Sequence, residues 1–380
     1  MRVVYWGTYD TGKPRNRILV KGLKQSGAEV IECHRDVWGG VADKSQVSGW
    51  LARFKKVCSW LISYPGLILE YLRLPAHDAV IVAYMGQLDV LVIWPFAKCR
   101  GVPIVWDAFL SLYDTVVCDR KIIGPKHPAS YLLYWLEYFA CRIANTVVLD
   151  TASHGQYFAD TFKIPPDKIE TVFVGAEDEI FAACGHKADY HTQGASSPFT
   201  ILFYGQFIPL HGVDVVVRAA KLTMAEDFRW VLIGKGQESG RIDALCEELK
   251  PTNLVRIDWV QYEELLMWID KADLGLGIFG NTEKAKRVIP NKVFQLLMAG
   301  CPIITGDTPA IRELLVPSCM VALIPLDDPA ALVAAVKKMA AFSAQRERAH
   351  DFKIIEQITP GQIGSSMLKI LQKIVYIDKH

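Results

Sequence analysis

The chain has 380 residues, 51% of them hydrophobic, and 42 basic against 41 acidic side chains give a formal net charge of +1. That composition excludes a disordered chain, and the charge balance excludes a polyanion-binding tail and a nucleic-acid partner, while the length suits two domains. Nine cysteines stand singly, with no Cys-x-x-Cys pair, which argues against a zinc site or a disulfide framework and for the reducing cytoplasm.

In chain order, an apolar strand, Arg2 to Trp6, runs into a glycine turn without the cleavage pattern of a signal peptide, so export is not expected. Short β-branched runs at 2–6, 29–33, 79–83, 103–106, 146–149 and 170–174 alternate with helix-length segments. The same alternation returns at 200–204, 230–233, 254–257, 274–278, 302–305 and 321–324. Strands alternating with helices imply parallel sheets covered on both faces. The expected fold is therefore α/β, two Rossmann-like doubly wound parallel-sheet domains facing a cleft. The polar stretch 186–198 reads as a linker between a first domain, 1–185, and a second, 199–360. The last amphipathic segment, within 361–380, either extends the second domain or crosses back to the first.

Doubly wound sheets bind ligands outside the carboxyl ends of their strands, so the strand-to-helix turns are where chemistry is expected. The first turn offers Gly7, Thr8 and Tyr9, followed by Arg15, Asn16 and Arg17. It is either a tight turn or an anion site where the arginines pair with a phosphate. The second, Gly205 to Gly212, includes Gln206 and His211 and can wrap a phosphate with backbone N–H groups. The third, Gly234-Lys235-Gly236, misses the dinucleotide fingerprint by one residue and discounts a nicotinamide dehydrogenase. The fourth crowds Lys284, Lys286, Arg287 and Lys292 ahead of an apolar helical stripe, Val293, Leu296 and Leu297. Pro290 suits the first turn of that helix, and Asn291 stands beside it. A basic loop before a core helix is the bland reading. A nucleotide diphosphate docked at the helix N-terminus is the functional one.

The order and spacing of these segments resemble family 4 of the retaining glycosyltransferases, of the GT-B fold, over nearly the whole chain and most strongly over 199–315. The matching segments are Ile201 to Gly205 with Gly212, the pair Gly234 and Gly236, Ala272-Asp273, Ala299-Gly300-Cys301-Pro302, and Val172 to Phe181 around Gly175. The resemblance implies a hexosyltransferase-type enzyme that uses a nucleotide diphosphate sugar as donor and needs no metal or other cofactor. It implies donor contacts from Gly205, Gln206, His211, Gly212, Gly234, Lys235, Gly236, Lys286, Pro290, Asn291 and Gln295. Acceptor contacts would come from Gly7, Thr8, Tyr9, Arg15, Asn16, Arg17 and Asp114.

The chain departs from the family at chosen points. The family's two glutamates, eight positions apart, fall on Arg287 and Gln295, and its glycine-loop arginine and lysine are replaced by Gln206 and His211. Gln295 still hydrogen-bonds a ribose, without charge. Arg287 and Lys292, helped by Lys286, are expected to supply the lost charge and to stabilise the leaving diphosphate, which makes them the catalytic candidates. Where a histidine often follows the fourth strand the chain has Phe109; Asp107 remains, as a third catalytic candidate or as a capping residue. Asp114, Asp119 and Arg120 follow it.

Trp50, Phe54, Val57 and Leu61 form one helical stripe with Arg53, Lys55 and Lys56 beside it. Residues 50–61 read either as core or as a surface that meets an anionic membrane, at whose inner face an enzyme with a lipid-linked acceptor would work. The leading reading is transfer of a sugar to a glycan or lipid-linked hydroxyl in glycan or polysaccharide assembly. A nucleotide-sugar epimerase of the same fold and a catalytically silent sugar-nucleotide-binding relative are the alternatives.

Overall fold

The computed structural model describes residues 1–37, 50–182, 198–343 and 352–378. The expected linker residues 186–197 lie outside them. The chain divides into two compact units, Met1–Gly175 with Thr359–His380, and Ala176–Ile358. The first boundary thus falls ahead of the expected linker, and the last segment belongs with the first unit.

The first unit carries β1 (Arg2–Gly7), α1 (Pro14–Gln25), β2 (Glu29–His34), α2 (Trp50–Arg73), β3 (Ala79–Val82), α3 (Gln87–Cys99), β4 (Ile104–Asp107), α4 (Pro128–Ile143), β5 (Thr146–Leu149), α5 (Ala152–Phe162) and β6 (Ile169–Thr171). Its six strands are all parallel in the order β2-β1-β3-β4-β5-β6. Parallel strands are buried on both faces and need apolar side chains at every position, which is why runs such as Ala79–Val82 show no alternation. Val4, Trp6, Val80, Val82 and Trp106 point to the face covered by α2, α3, α4 and α5. Val3, Tyr5, Ala79, Ile81 and Val105 point to the other face. There α1 is joined by α14 (Pro360–Asp378), whose Ile363, Met367 and Leu371 complete the core.

The second unit carries α6 (Asp178–Phe181), β7 (Phe199–Tyr204), α7 (Val213–Leu222), β8 (Phe228–Ile233), α8 (Ser239–Leu249), β9 (Leu254–Ile257), α9 (Tyr262–Lys271) and β10 (Leu274–Leu276). It continues with α10 (Asn291–Met298), β11 (Ile303–Gly306), α11 (Pro309–Arg312), β12 (Val321–Ile324), α12 (Pro329–Ser343) and α13 (Phe352–Ile358). Its sheet is again parallel throughout, in the order β12-β11-β10-β7-β8-β9. Leu274 and Leu276 share a core with α7, α8 and α12. Gly275, between them, faces Leu296 of α10, so α10 covers the opposite face.

In each sheet the chain starts in the middle, winds outward one way and then returns to the other side of its first strand. The switch points are therefore β1/β3 and β7/β10, and ligands of doubly wound sheets sit at the carboxyl ends of such strands.

Candidate functional site

In the second unit the turns after β7 and β10 meet at the switch point. Phe279 N–H donates to the His211 carbonyl at 3.1 Å and Gly280 N–H to the Leu210 carbonyl at 3.2 Å, which seats Gly212 against Gly280. Gly205 has φ +135°, and a Cβ there would lie 3.3 Å from His211 Cε1 and 3.5 Å from Lys292 Nζ. Gly234 comes close to the same turn, since a Cβ on it would run into the Gly205 carbonyl oxygen. Glycine is what allows this stacking of backbone on backbone. Phe207 N–H donates to the Lys235 carbonyl at 3.2 Å, and Gly236 N–H to Ser239 Oγ at 2.8 Å, while the Lys235 side chain is exposed.

Lys292 is the centre of this arrangement. It lies in the first turn of α10 with 4% of its surface exposed, and Nζ sits 3.5 Å from the centroid of the Phe203 ring. Nζ has no hydrogen-bond partner. Burial holds its pKa well below the usual lysine value. A buried ammonium without an anion is costly, because desolvation penalises the charged form and the Phe203 ring face offsets only part of that cost. Pro290 precedes α10 as its N-cap residue, with Asn291 as the first helical residue, and no side chain caps the end. Val293 N–H donates to the Pro290 carbonyl at 2.9 Å, so the N–H groups of Asn291 and Lys292 are the ones on offer to a ligand beside the amine.

Around it, Tyr204 Oη donates to Gln295 Oε1 at 2.9 Å, so the glutamine that replaces an expected acid is held by a neutral partner. His211 is buried and its Nδ1 donates to the Gln206 carbonyl; that bond fixes the proton on Nδ1 and turns Nε2 away from the carbonyl. The four cations of the fourth turn separate. Lys286 is half-buried and pairs with Glu283 at 2.7 Å, Lys284 is buried, and Arg287 is half-buried with its N–H on the Lys284 carbonyl at 3.0 Å.

The first unit corrects two expectations. Arg15, expected to pair with a phosphate, and Asp107, expected as a catalytic candidate, are buried and bind each other, with Nη2 to Oδ1 at 2.6 Å and Nε to Oδ2 at 3.0 Å. Arg15 Nη1 also donates to the Val172 and Phe173 carbonyls, both at 2.8 Å. Opposite charges at the ends of neighbouring elements neutralised each other, so neither is left for a ligand. Asn16 is buried too, accepting from Tyr5 Oη at 2.9 Å and donating to the Asp10 carbonyl at 2.9 Å. Asp114 is buried, with its N–H on Ser111 Oγ at 2.9 Å.

Thr8 is held by Asp89: its N–H donates to Oδ2 at 2.7 Å, and Tyr64 Oη donates to Oδ1 at 2.5 Å. Gly7, at φ +135°, leaves room for that carboxylate, since a Cβ would come 2.4 Å from Oδ2. Trp60 Nε1 donates to Thr8 Oγ1 at 2.7 Å, so this tryptophan of the 50–61 segment braces the turn. The side chains of Trp50, Arg53, Phe54 and Lys56 lie outside the described residues. Tyr9 and Arg17 do meet an open space. With Asn16, Lys21, Lys24 and Glu32 they line a cavity of about 530 Å³ along α1.

Sequence reasoning missed three groups here. Asp89 and Glu137 are isolated acids within helices and gave no spacing signal. Asp150 and His154 form a buried pair at 2.7 Å where β5 meets α5. Phe109 at φ +55° and Met85 at φ +68° follow β4 and β3 in the left-handed region. Such strained backbone concentrates at functional sites, and here it marks the carboxyl edge of the first sheet.

Among curated protein sequences none matches the chain. Solved structures do. Sucrose-phosphate synthase from Thermosynechococcus elongatus superposes with a TM-score of 0.72 at 14% identity over 99% of each chain. HepE from Anabaena, solved with UDP, gives 0.65 at 10% identity over 98% of this chain and 100% of its own. The lipopolysaccharide outer core galactosyltransferase WaaB gives 0.62 at 13% identity over 98% and 100%. The fold is that of the GT-B glycosyltransferases. Residues 198–341, the part of the second unit that holds Lys292, match the family model described as glycosyl transferases group 1. Among the described residues no helix is long and apolar enough to cross a membrane.

Proposed function

We propose that the protein transfers a hexosyl group from a nucleotide diphosphate sugar to a hydroxyl of a glycan or lipid-linked acceptor, with retention of configuration and without a metal ion, in glycan or polysaccharide assembly. The observation that carries this reading is the buried Lys292 amine, which has no anionic partner and lies beneath Gly205 at the open end of α10. A donor diphosphate at that place supplies the missing anion. As the bond from the sugar C1 to the phosphate oxygen breaks, the diphosphate takes the electron pair, and Lys292 with the α10 N–H groups stabilises the charge that develops. The acceptor oxygen bonds to C1, and its proton leaves with the diphosphate, the strongest base formed in the step.

Arg287 is the second cation of the reading, while Lys286 is left to Glu283. The cavity along α1, with Tyr9, Asn16 and Arg17 on its wall, is the acceptor seat. Every described cysteine is a free thiol, which supports work in a reducing compartment, on the cytoplasmic side of the membrane where a lipid-linked acceptor is used. HepE is solved with UDP and with UDP-glucose, which makes uridine diphosphate sugars the first donors to try.

The test is a thermal-shift screen of nucleoside diphosphates and their sugars, followed by donor turnover. A ligand near 100 Kd stabilises by about 2.7 kcal/mol. Slow donor hydrolysis without acceptor is expected; interconversion of the sugar would point to an epimerase, and a bound but unchanged donor to a silent relative. Calorimetry of Arg287→Glu checks the second cation, and an unchanged donor affinity would remove it from the site.

A further inference from the structure

We infer that the outer faces of α2, α3 and α4 together form a surface that docks onto an anionic lipid bilayer. A helix lying on a sheet normally turns its apolar stripe inward and a polar face to water. These helices carry a second apolar stripe on the water side. On α4 the exposed residues Tyr131, Leu132, Trp135 and Phe139 follow helical spacing, and the rings of Trp135 and Phe139 stack at 5.8 Å. On the second half of α2, Ile62 is 75% exposed and Leu69 and Leu72 about half exposed, again one stripe. Trp94 of α3 is exposed between them, and α3 packs against both neighbours.

Charge says what covers this surface. At the described positions of the three helices Lys55, Arg73, Lys98 and Arg142 are all exposed. Their acidic residues are withdrawn: Asp89 and Glu137 are buried, and Glu70 pairs with Arg35 at 2.7 Å. In a chain of nearly balanced charge, the described residues of these three helices thus include no carboxylate that is both exposed and unpaired. The cations also lie against the aromatics. Lys98 Nζ is 5.2 Å from the Trp94 ring centroid, and the Arg142 guanidinium carbon is 4.3 Å from that of Tyr138. Exposed Trp and Tyr with Lys and Arg whose stems lie along apolar surface is the pattern of side chains at the headgroup level of a membrane. Docking here rests on the second half of α2 and not on the expected stripe of Trp50, Phe54, Val57 and Leu61, and does not depend on the proposed transfer.

The experiment is co-sedimentation of the full chain with vesicles of phosphatidylglycerol and phosphatidylcholine, against vesicles of phosphatidylcholine alone, at low and high salt. Binding to the anionic vesicles, weakened by salt, is expected. The Trp135→Glu/Phe139→Glu variant should bind about tenfold more weakly or worse, and Leu69→Glu on a different helix should weaken binding independently. The substituted positions are exposed, and an unchanged thermal midpoint and UDP response in the variants would show that the fold and the donor site are intact. Failure of the wild type to pellet, or equal pelleting of wild type and variants, overturns the inference. So does a concentration-dependent dimer in sedimentation velocity that the same substitutions abolish, which would assign the face to a second copy of the chain.

Discussion

The turn after β1 and the turn after β7 hold the same place in their sheets, each opening on a glycine at φ +135°, and they treat buried polar groups in opposite ways. In the first, the Asp89 carboxylate closes the turn, taking bonds from Thr8 and Tyr64, while Trp60 bonds to the threonine hydroxyl. That network is complete without a ligand. In the second, the Lys292 ammonium lies under Gly205 with no acceptor within reach. A saturated turn positions backbone, whereas an unsaturated one suits an anion; the difference is what favours the second unit as the seat of the proposed donor.

Replacing Lys292 by Met is the most direct way to break the comparison. If the amine waits for a diphosphate, the variant should lose donor affinity and turnover by about a hundredfold or more, the range for removing one charge-stabilising group from such a site. The free protein should at the same time become more stable, by about 1 kcal/mol or more, because a buried charge without a partner is replaced by an apolar chain of similar length. Calorimetry and urea denaturation of the same preparation check both. A variant that loses stability and keeps its donor would show that Lys292 is structural.

Asp89→Ala is the counterpart in the first unit. It leaves the Thr8 N–H and Tyr64 hydroxyl buried without their acceptor, and should cost about 3 kcal/mol of stability with donor affinity unchanged. Together the two substitutions should move stability in opposite directions at equivalent places in the two sheets.

Proton uptake sharpens the comparison further. Burial lowers the Lys292 pKa in the free protein, and a bound diphosphate raises it again. Between those two values donor binding takes up as much as one proton, and affinity should fall by up to about tenfold per pH unit as pH rises through the window. Calorimetry in buffers of different ionisation enthalpy measures the uptake, and Lys292→Met should abolish it. The free protein follows the same linkage. The unfolded lysine keeps its proton where the folded one has lost it, so this residue makes stability rise with pH from the lowered value toward the ordinary lysine range.

How far the sequence carries differs between fold and site. All twelve strands answer within a few residues to runs read from the sequence; inner strands such as β3 and β5 are buried throughout and have no composition but an apolar one available, while the edge strands β2 and β6 carry Glu29, Glu32 and Glu170. The fourth turn stood out for its cations, yet their spacing did not tell Lys292, which is buried and unpaired, from Lys286, which is half-buried and paired with Glu283. Depth is set by the Gly205 turn folding over α10, a contact between distant segments. Arg15 and Asp107 read as ligand groups because charge at a strand end is a fair signal. Their mutual neutralisation spans 92 residues and is invisible along the chain. Asp89 and Glu137 gave no signal at all, since a single acid in an apolar helix looks the same whether it meets water or closes a turn.

Glu137 tests whether bracing by acids is general in the first unit. It is fully buried beneath the turn that follows β4. Oε1 accepts from Leu112 N–H at 2.5 Å and Gln87 Nε2 at 2.9 Å, and Oε2 from Ser111 Oγ at 2.5 Å and Tyr113 N–H at 3.3 Å. Burial pushes its pKa up to about 7, against the pull of those bonds. The folded state therefore holds a proton that the unfolded state has released, so stability from this group falls as pH rises from the ordinary carboxylate range to about 7 and is level above it. Glu137→Gln should flatten that slope. Its amide can serve only one pair of donors, and the Ser111 hydroxyl can turn to accept while the Tyr113 N–H cannot, so one weak bond is lost and the net cost at neutral pH should stay near 1 kcal/mol. Urea midpoints across the pH range measure it. A slope that survives the substitution would place the titration on another group, with Glu137 still bonded to the turn after β4.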